Sequence, residues 1–286
     1  MKEFRVEVFG GLCNRLRVLM SAGYLAEQCG RKLVLTWRPT DECGARLGDL
    51  FTNSIAEADS LPGHLRPWTK TSPDKVGRAV RSSEPIVWVR ECEWLVPDAD
   101  HHKTIPHFEA LCPVDAVIEG VNAVAQRFDR PAMGVHVRRG DFAEHLPKQH
   151  SITLPPLERY YDYLDDWRGT IFLATDGGGA VESRFRDRYG DRVVIHPKHC
   201  QGRNTPKAIQ DALVDVYLLQ RCHAVIGTRY SSFSGLAWTI SGVPHAKVTD
   251  REAGSLARLK FSCKILASRI RQTVMPRCWP SRSLSP

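Results

Sequence analysis

The richest cluster of chemistry-bearing side chains is Gly134-Val-His-Val-Arg-Arg-Gly-Asp141. Met133 to Val137 is a short, β-branched apolar run, which suits a buried strand. His136, Arg138, Arg139 and Asp141 crowd its C-terminal end. In open α/β sheets, ligands bind beyond the carboxyl ends of the strands. An arginine fixed there can grip a phosphate or diphosphate through two parallel N–H bonds. Strand alternation places His136 and Arg138 on one face and Arg139 on the other.

Three further turns carry glycine or polar residues. Gly10 and Gly11 allow backbone amides to approach a ligand, with Asn14 and Arg15 at the start of the following helix. Asp176 precedes three glycines. It can hold a loop or bind a hydroxyl, although capping a helix is the commoner role. Thr228 to Gly235 offers Ser231, Ser232 and Ser234, whose hydroxyls and amides suit a phosphate. Asp215 lies one helix earlier. The glycine pattern is not GxGxxG and no Walker lysine follows, which disfavours a nicotinamide enzyme or a P-loop kinase. His101, His102 and His107 occupy a polar stretch that reads as a surface loop. With Cys112 they match no metal-ligand spacing, and no metal is expected.

These turns require an alternating α/β frame. Phe4 to Phe9 reads as a strand, followed by the glycine turn, a helix stopping near Gly30 and a strand from Lys32 to Trp37. Residues 39–77 are weakly periodic. Glu84 to Arg90 reads as the next strand and Val114 to Phe128 as a helix broken at Asp129-Arg-Pro131. The second half repeats the rhythm. Its strands are Met133–Val137, Thr170–Thr175, Arg192–His196 and Ala224–Gly227, and its helices open at Leu154, Ala180, Ala208 and after Thr228. The expected division is residues 1–130, 131–250, a basic helix at 251–275 and a disordered tail at 276–286. The helix carries Leu256, Leu259, Cys263, Leu266 and Ile270 as an apolar seam. It can close onto the first half of the chain or lie on a membrane surface.

Composition sets outer limits. In 286 residues, 42% hydrophobic and 25% charged content is ordinary for a globular protein and excludes a disordered chain. The net charge of +8 favours anionic partners. Nine cysteines, irregularly spaced and without a CxxC pair, point to a reducing compartment. The N-terminus enters a strand-like run without an apolar signal segment, and no run reaches the roughly 18 apolar residues of a spanning helix. A cytoplasmic protein is expected, with peripheral membrane contact through the basic helix as an option. Nucleic-acid binding would need aromatic platforms among the basic residues. Beyond Asp250 only Phe261 and Trp279 are aromatic, so no nucleic-acid partner is expected.

Gly10-Gly-Leu-Cys-Asn-Arg, Gly134-Val-His-Val-Arg-Arg-Gly-Asp141, Phe172-Leu-Ala-Thr-Asp176 and Asp215-Val-Tyr-Leu-Leu-Gln-Arg-Cys-His-Ala-Val-Ile-Gly-Thr228 occur in this order. That order and spacing resemble the fucosyltransferase superfamily of α1,6-fucosyltransferases, nodulation-factor fucosyltransferases and protein O-fucosyltransferases. The resemblance covers most of residues 3–245, with 39–130 similar only in outline. It implies a GT-B fold, two Rossmann-like domains with parallel sheets facing across a cleft. It implies a metal-independent, inverting transfer from GDP-fucose to a glycan, glycoconjugate or small-molecule hydroxyl, with no cofactor.

By that resemblance His136 and Asp215 contact the guanine side of the donor. Arg138 binds the β-phosphate, Ser231 or Ser232 adds to the phosphate contacts, and Asn14 lies near the sugar. Gly10, Gly11 and Asp176 complete the donor set. Without a metal, a fixed guanidinium and helix-end amides must stabilise the departing diphosphate. The acceptor hydroxyl needs a base, usually a carboxylate or histidine. The α1,6 members have a glutamate ten residues after the motif histidine. Leu146 stands there in this chain, leaving Glu144 and Asp141 as candidates beside His145. Two other readings stay open: a transferase for another GDP-sugar, and an inactive nucleotide-sugar or carbohydrate-binding protein.

Overall fold

The computed structural model describes residues 1–58, 67–69, 71–128, 131–140, 153–200, 202–251 and 254–272. The first half builds a four-stranded parallel sheet from β1 (Glu3–Val8), β2 (Lys32–Trp37), β3 (Trp68–Thr69) and β4 (Ile86–Glu91), in the order β2-β1-β4-β3. In β1, Phe4, Val6 and Val8 are buried while the alternate residues are half-buried. One face therefore meets the core. The other carries ion pairs such as Arg5–Glu3 at 2.7 Å and Arg90–Glu7 at 3.3 Å. Helices α1 (Leu12–Gln28) and α2 (Pro73–Arg81) add Leu16, Met20, Val76 and Val80 to the core side.

The second half builds a five-stranded parallel sheet from β5 (Ala132–Val137), β6 (Thr170–Thr175), β7 (Val193–Ile195), β8 (Ala224–Thr228) and β9 (His245–Val248), in the order β7-β6-β5-β8-β9. All residues of β5 and β8 are buried, as an inner parallel strand covered on both faces requires. The chain leaves β5 towards β6 and β7, then returns to the other side of β5 with β8. The crevice between β5 and β8 is therefore the topological switch point.

The remaining helices are α3 (Ile105–Glu109), α4 (Asp115–Ala125), α5 (Glu158–Tyr161), α6 (Gly178–Tyr189), α7 (Pro206–Arg221), α8 (Ser232–Ser241) and α9 (Ser255–Gln272). Residues of both halves join one hydrophobic cluster. Val117 and Val121 of α4 belong to it together with Leu213 and Val216 of α7. Phe108 of α3 meets Tyr217 of α7 at 5.3 Å between ring centroids, and Gln210 Nε2 donates to the Asp49 carbonyl at 2.7 Å.

Several elements differ from the sequence expectation. His101 and His102 lie on a 3₁₀ turn, Asp98–Thr104, and His107 lies in α3, whose first turn holds Pro106. None of the three sits in an irregular loop. His101 stacks on Trp94 at 4.1 Å, and His107 Nε2 is 3.2 Å from Glu27. The stretch 39–77 holds the 3₁₀ turn Leu47–Asp49, β3 and the start of α2. The helix expected from Leu154 begins only at Glu158, because Pro155 and Pro156 restrict the residues before them to extended backbone. β9, a four-residue strand, is an addition.

Helix α9 forms, but its buried side is not the expected seam. Phe261 and Ile265 are buried against the second sheet's cluster, with Tyr163 edge-on to Phe261 at 5.6 Å. Leu259 is 60% exposed and Cys263 is exposed. The helix thus closes on the second half, not the first. Among the described residues no helix is long and apolar enough to cross a membrane, and the eight described cysteines are free.

Candidate active site

The strand ends at the switch point hold the central polar group. His136, at the end of β5, is buried, and its Nδ1 shares a 2.7 Å hydrogen bond with Ser234 Oγ in the first turn of α8. Its ring stacks on Phe233 at 4.6 Å. Gly227 makes this contact feasible: a Cβ there would lie 2.5 Å from Ser234 Oγ. Burial, reinforced by the Arg138 charge, pushes the His136 imidazolium down to about 3. The ring is neutral at any ordinary pH and acts as a hydrogen-bonding group, not a cation. Ser234 was named with Ser231 and Ser232 in the sequence, but the expected contact fell on the other two.

Arg138 follows the strand. Its backbone N–H donates to Thr228 Oγ1 at 2.9 Å, tying the ends of β5 and β8 together. Its guanidinium pairs with the Asp176 carboxylate, whose other oxygen accepts the Arg139 N–H at 2.6 Å. Asp176 is therefore a clamp on the arginine turn and not a helix cap. Gly177 takes the cap position of α6, without a side-chain cap bond. A Cβ on Gly177 would meet the Arg139 stem at 3.0 Å, and Tyr160 feels the Arg139 charge. Arg138 instead acts on Cys13 and His136. The two arginines thus serve different neighbourhoods.

Ser231 caps α8 without a side-chain cap bond, and Ser232 is its first residue. The first-turn amides of a helix have no partner within the helix, and the macrodipole favours an anion there. Tyr230, just before the cap, has φ 65°, a left-handed turn that a non-glycine residue adopts at a cost of about 1–2 kcal/mol. Its ring is covered by the Arg229 guanidinium at 4.7 Å.

Asp215 of α7 is buried and ion-paired to Lys198. His196 Nδ1 stands 3.4 Å from Asp215 Oδ1, and that oxygen accepts no hydrogen bond. Burial alone would raise this carboxyl. The Lys198 charge and the His196 ring outweigh it and hold the group below the ordinary carboxylate range. Lys198 and His196 were not among the expected site residues. The signal was available: they follow β7 at its carboxyl end, the same kind of position that singled out Arg138.

On the first half, Gly10 has φ 78°, which glycine tolerates and other residues rarely adopt. Arg15 is fully buried and braces this turn. Its Nε donates to the Gly10 carbonyl at 2.8 Å, and its other nitrogens donate to the Arg38 carbonyl at 2.6 Å and Thr40 Oγ1 at 2.8 Å. Arg15 is thus structural. Asn14 Oδ1 is buried without a partner. Gly11 lies where an added Cβ would be 3.7 Å from Arg203 Nη1 of the second half. The glycine turn therefore faces the second sheet's strand ends, through Cys13 towards Arg138 and through Gly11 towards Arg203. Asp141 and Glu144 lie outside the described residues, as do His145 and Leu146.

No family model matches the chain. Over 129 residues it is 29% identical to an alpha-(1,6)-fucosyltransferase of Drosophila melanogaster, a match covering 40% of this chain and 20% of that protein. The chain thus spans about a fifth of the length of this curated relative. The structure of NodZ alpha-1,6-fucosyltransferase soaked with GDP-fucose aligns with a TM-score of 0.60 at 19% identity, covering 85% of this chain and 94% of that one. POFUT1 in complex with GDP-fucose aligns with a TM-score of 0.53 at 12% identity, covering 87% and 98%. The fold is the two-sheet α/β, GT-B-like architecture of these structures. The structural likenesses show this fold, and the sequence likeness is confined to 129 residues.

Proposed function

We propose that the chain is a metal-independent, inverting glycosyltransferase that moves fucose from GDP-fucose to a carbohydrate or glycoconjugate hydroxyl. The observation that carries this reading is the convergence of Arg138, the α8 N-terminus, His136 and Asp215 on one crevice at the carboxyl ends of β5–β8. The crevice supplies what a nucleoside diphosphate needs: a fixed guanidinium, unpaired helix amides and a buried acceptor. Support also comes from the likeness to proteins solved with GDP-fucose.

In the transfer, the bond between the sugar C1 and the β-phosphate oxygen breaks and its electron pair leaves with GDP. Arg138 and the first-turn amides of α8 receive the charge that grows on the diphosphate, so they act more strongly on the transition state than on the ground state. The Asp176 clamp fixes the arginine backbone before donor arrives, so less reorganisation remains. Asp215 is acceptor-only when ionised and complements the N–H groups on the edge of guanine. Neutral His136, oriented by Ser234, hydrogen-bonds to the donor beside it. Asn14 offers its unpartnered oxygen to the sugar from the opposite wall. The acceptor oxygen attacks C1 from the face opposite GDP and gives its proton to Asp141 or Glu144. The products are GDP and a glycoside of inverted configuration.

The test is turnover of GDP-fucose with a panel of glycan acceptors, alongside thermal shifts with GDP, UDP and ADP. Selective stabilisation by GDP with fucose transfer supports the reading. Equal or better use of another GDP-sugar would reassign the donor. GDP binding without transfer or hydrolysis would leave a binding protein.

A further inference from the structure

We propose that the turn after β7 and the second turn of α7 form a site for a borderline divalent transition-metal ion, Zn²⁺ being the best fit, ligated by His196, His199 and Asp211. One ligand atom from each of these residues falls within 4.8 Å of the others. His199 Nδ1 is 2.8 Å from Asp211 Oδ1, and His196 Nε2 is 4.0 Å from the same oxygen. Zinc bonds of 2.0–2.1 Å in a tetrahedron separate neighbouring ligand atoms by ~3.3 Å. The two distances to Asp211 bracket that value, and the two histidine nitrogens lie within 4.8 Å of one another, so modest side-chain adjustment would bring the three onto one ion.

The surroundings match a metal site more closely than an ordinary ion pair. The Asp211 side chain is only 4% exposed, and it is met by the His199 backbone N–H at 2.7 Å and by two imidazoles. Lys198, between the two histidines in sequence, is taken up by Asp215. His196 presents Nδ1 to Asp215 and Nε2 to Asp211. Ligation through Nε2 would hold the ring proton on Nδ1, 3.4 Å from Asp215 Oδ1, where the carboxylate could accept it and so orient the ligating histidine and raise its basicity. Two imidazoles and one carboxylate select zinc or its neighbours over magnesium or calcium, which prefer all-oxygen shells. His199 has 58% of its side chain exposed, which opens the site to solvent and leaves a fourth position for water.

The ion would take no part in bond breaking and its binding does not require a donor, although His196 lies 3.4 Å from Asp215, the residue proposed to meet the guanine. It would fasten the strand end that carries Lys198 to the helix that carries Asp215.

The experiment uses the full chain, stripped with a chelator and titrated with Zn²⁺ and Co²⁺ in the absence of nucleotide. One equivalent should bind at micromolar concentration or below, with a rise in melting temperature. Co²⁺ should give the visible ligand-field bands of a tetrahedral nitrogen–oxygen site. His199→Ala, at an exposed position that folding tolerates, should weaken binding at least tenfold, and Asp211→Asn likewise. His102→Ala, an exposed histidine elsewhere, should leave binding unchanged. Absence of stoichiometric binding, unchanged affinity in His199→Ala, or a Co²⁺ spectrum dominated by thiolate charge transfer would each overturn the proposal.

Discussion

At the scale of single residues the proposed function rests on Arg138. A preorganised donor aimed at developing charge is worth on the order of 100–1,000-fold in turnover. Arg138→Ala should lose at least that much kcat while weakening GDP binding less. Arg138→Lys should recover little, since an ammonium cannot reproduce the two-pronged fork. Arg139→Ala should cost mainly stability, because its stem packs on Gly177. Steady-state kinetics beside melting curves separates the three; wild-type turnover in Arg138→Ala would move the chemistry elsewhere. His136 gives a second prediction. Its native value lies near 3 and a free histidine near 6.5, so below pH 6.5 the unfolded chain binds more protons. Stability due to this group is therefore unchanged above pH 6.5 and falls as the pH drops from 6.5 towards 3. Between pH 7 and pH 5 the loss should be about 2 kcal/mol. It should vanish in a folded His136→Asn variant measured by denaturant titration at both pH values.

At the scale of elements, α9 tests how well a hydrophobic pattern locates a buried face. Phe261→Ala should cost about 3–5 kcal/mol, whereas Leu259→Ala should stay within about 0.5 kcal/mol. Equal losses would restore the sequence-based seam. The pattern misled because Leu259 and Cys263 share one helical stripe, while Phe261 and Ile265, also four residues apart, form another of equal apolarity. Only the partner surface, with Tyr163 beside it, decides between them. Where the pattern had no rival, local reading sufficed. β5, β6 and β8 are mainly apolar runs leading into polar turns, and their carboxyl ends point to His136, Arg138 and the serine turn. Partners distant in sequence were not legible. Nothing local ties Asp176 to Arg138, thirty-eight residues away, or chooses Ser234 over its neighbours for His136. His196 and Lys198 are obscured for a different reason: β7 is only three residues long and ends at Ile195, so His196 reads as part of the expected strand and Lys198 as the loop beyond it.

At the scale of the whole molecule, the two sheets share one hydrophobic cluster and meet through α4 and α7. The proposed donor crevice lies where the second sheet's strand ends face the glycine turn of the first. A ligand that binds there therefore reports on the stability of both halves. GDP at roughly a hundred times its dissociation constant should add about 2.7 kcal/mol, a rise in melting temperature of about 4–5 °C. UDP should add little, because uracil presents one N–H where guanine presents several to Asp215. Asp215→Asn should erase much of the preference, since an amide offers one acceptor oxygen without charge. Chelation supplies the complementary test. If Arg138 and the α8 amides carry the leaving-group charge, EDTA should leave turnover intact at a temperature well below the melting transition, even if it removes an ion from the His199 site and lowers that transition. Stability and catalysis would then respond to the same reagent in different ways. A complete loss of turnover at low temperature, restored by Mn²⁺ or Mg²⁺, would mean that the diphosphate leaves on a metal and that Arg138 is only its neighbour.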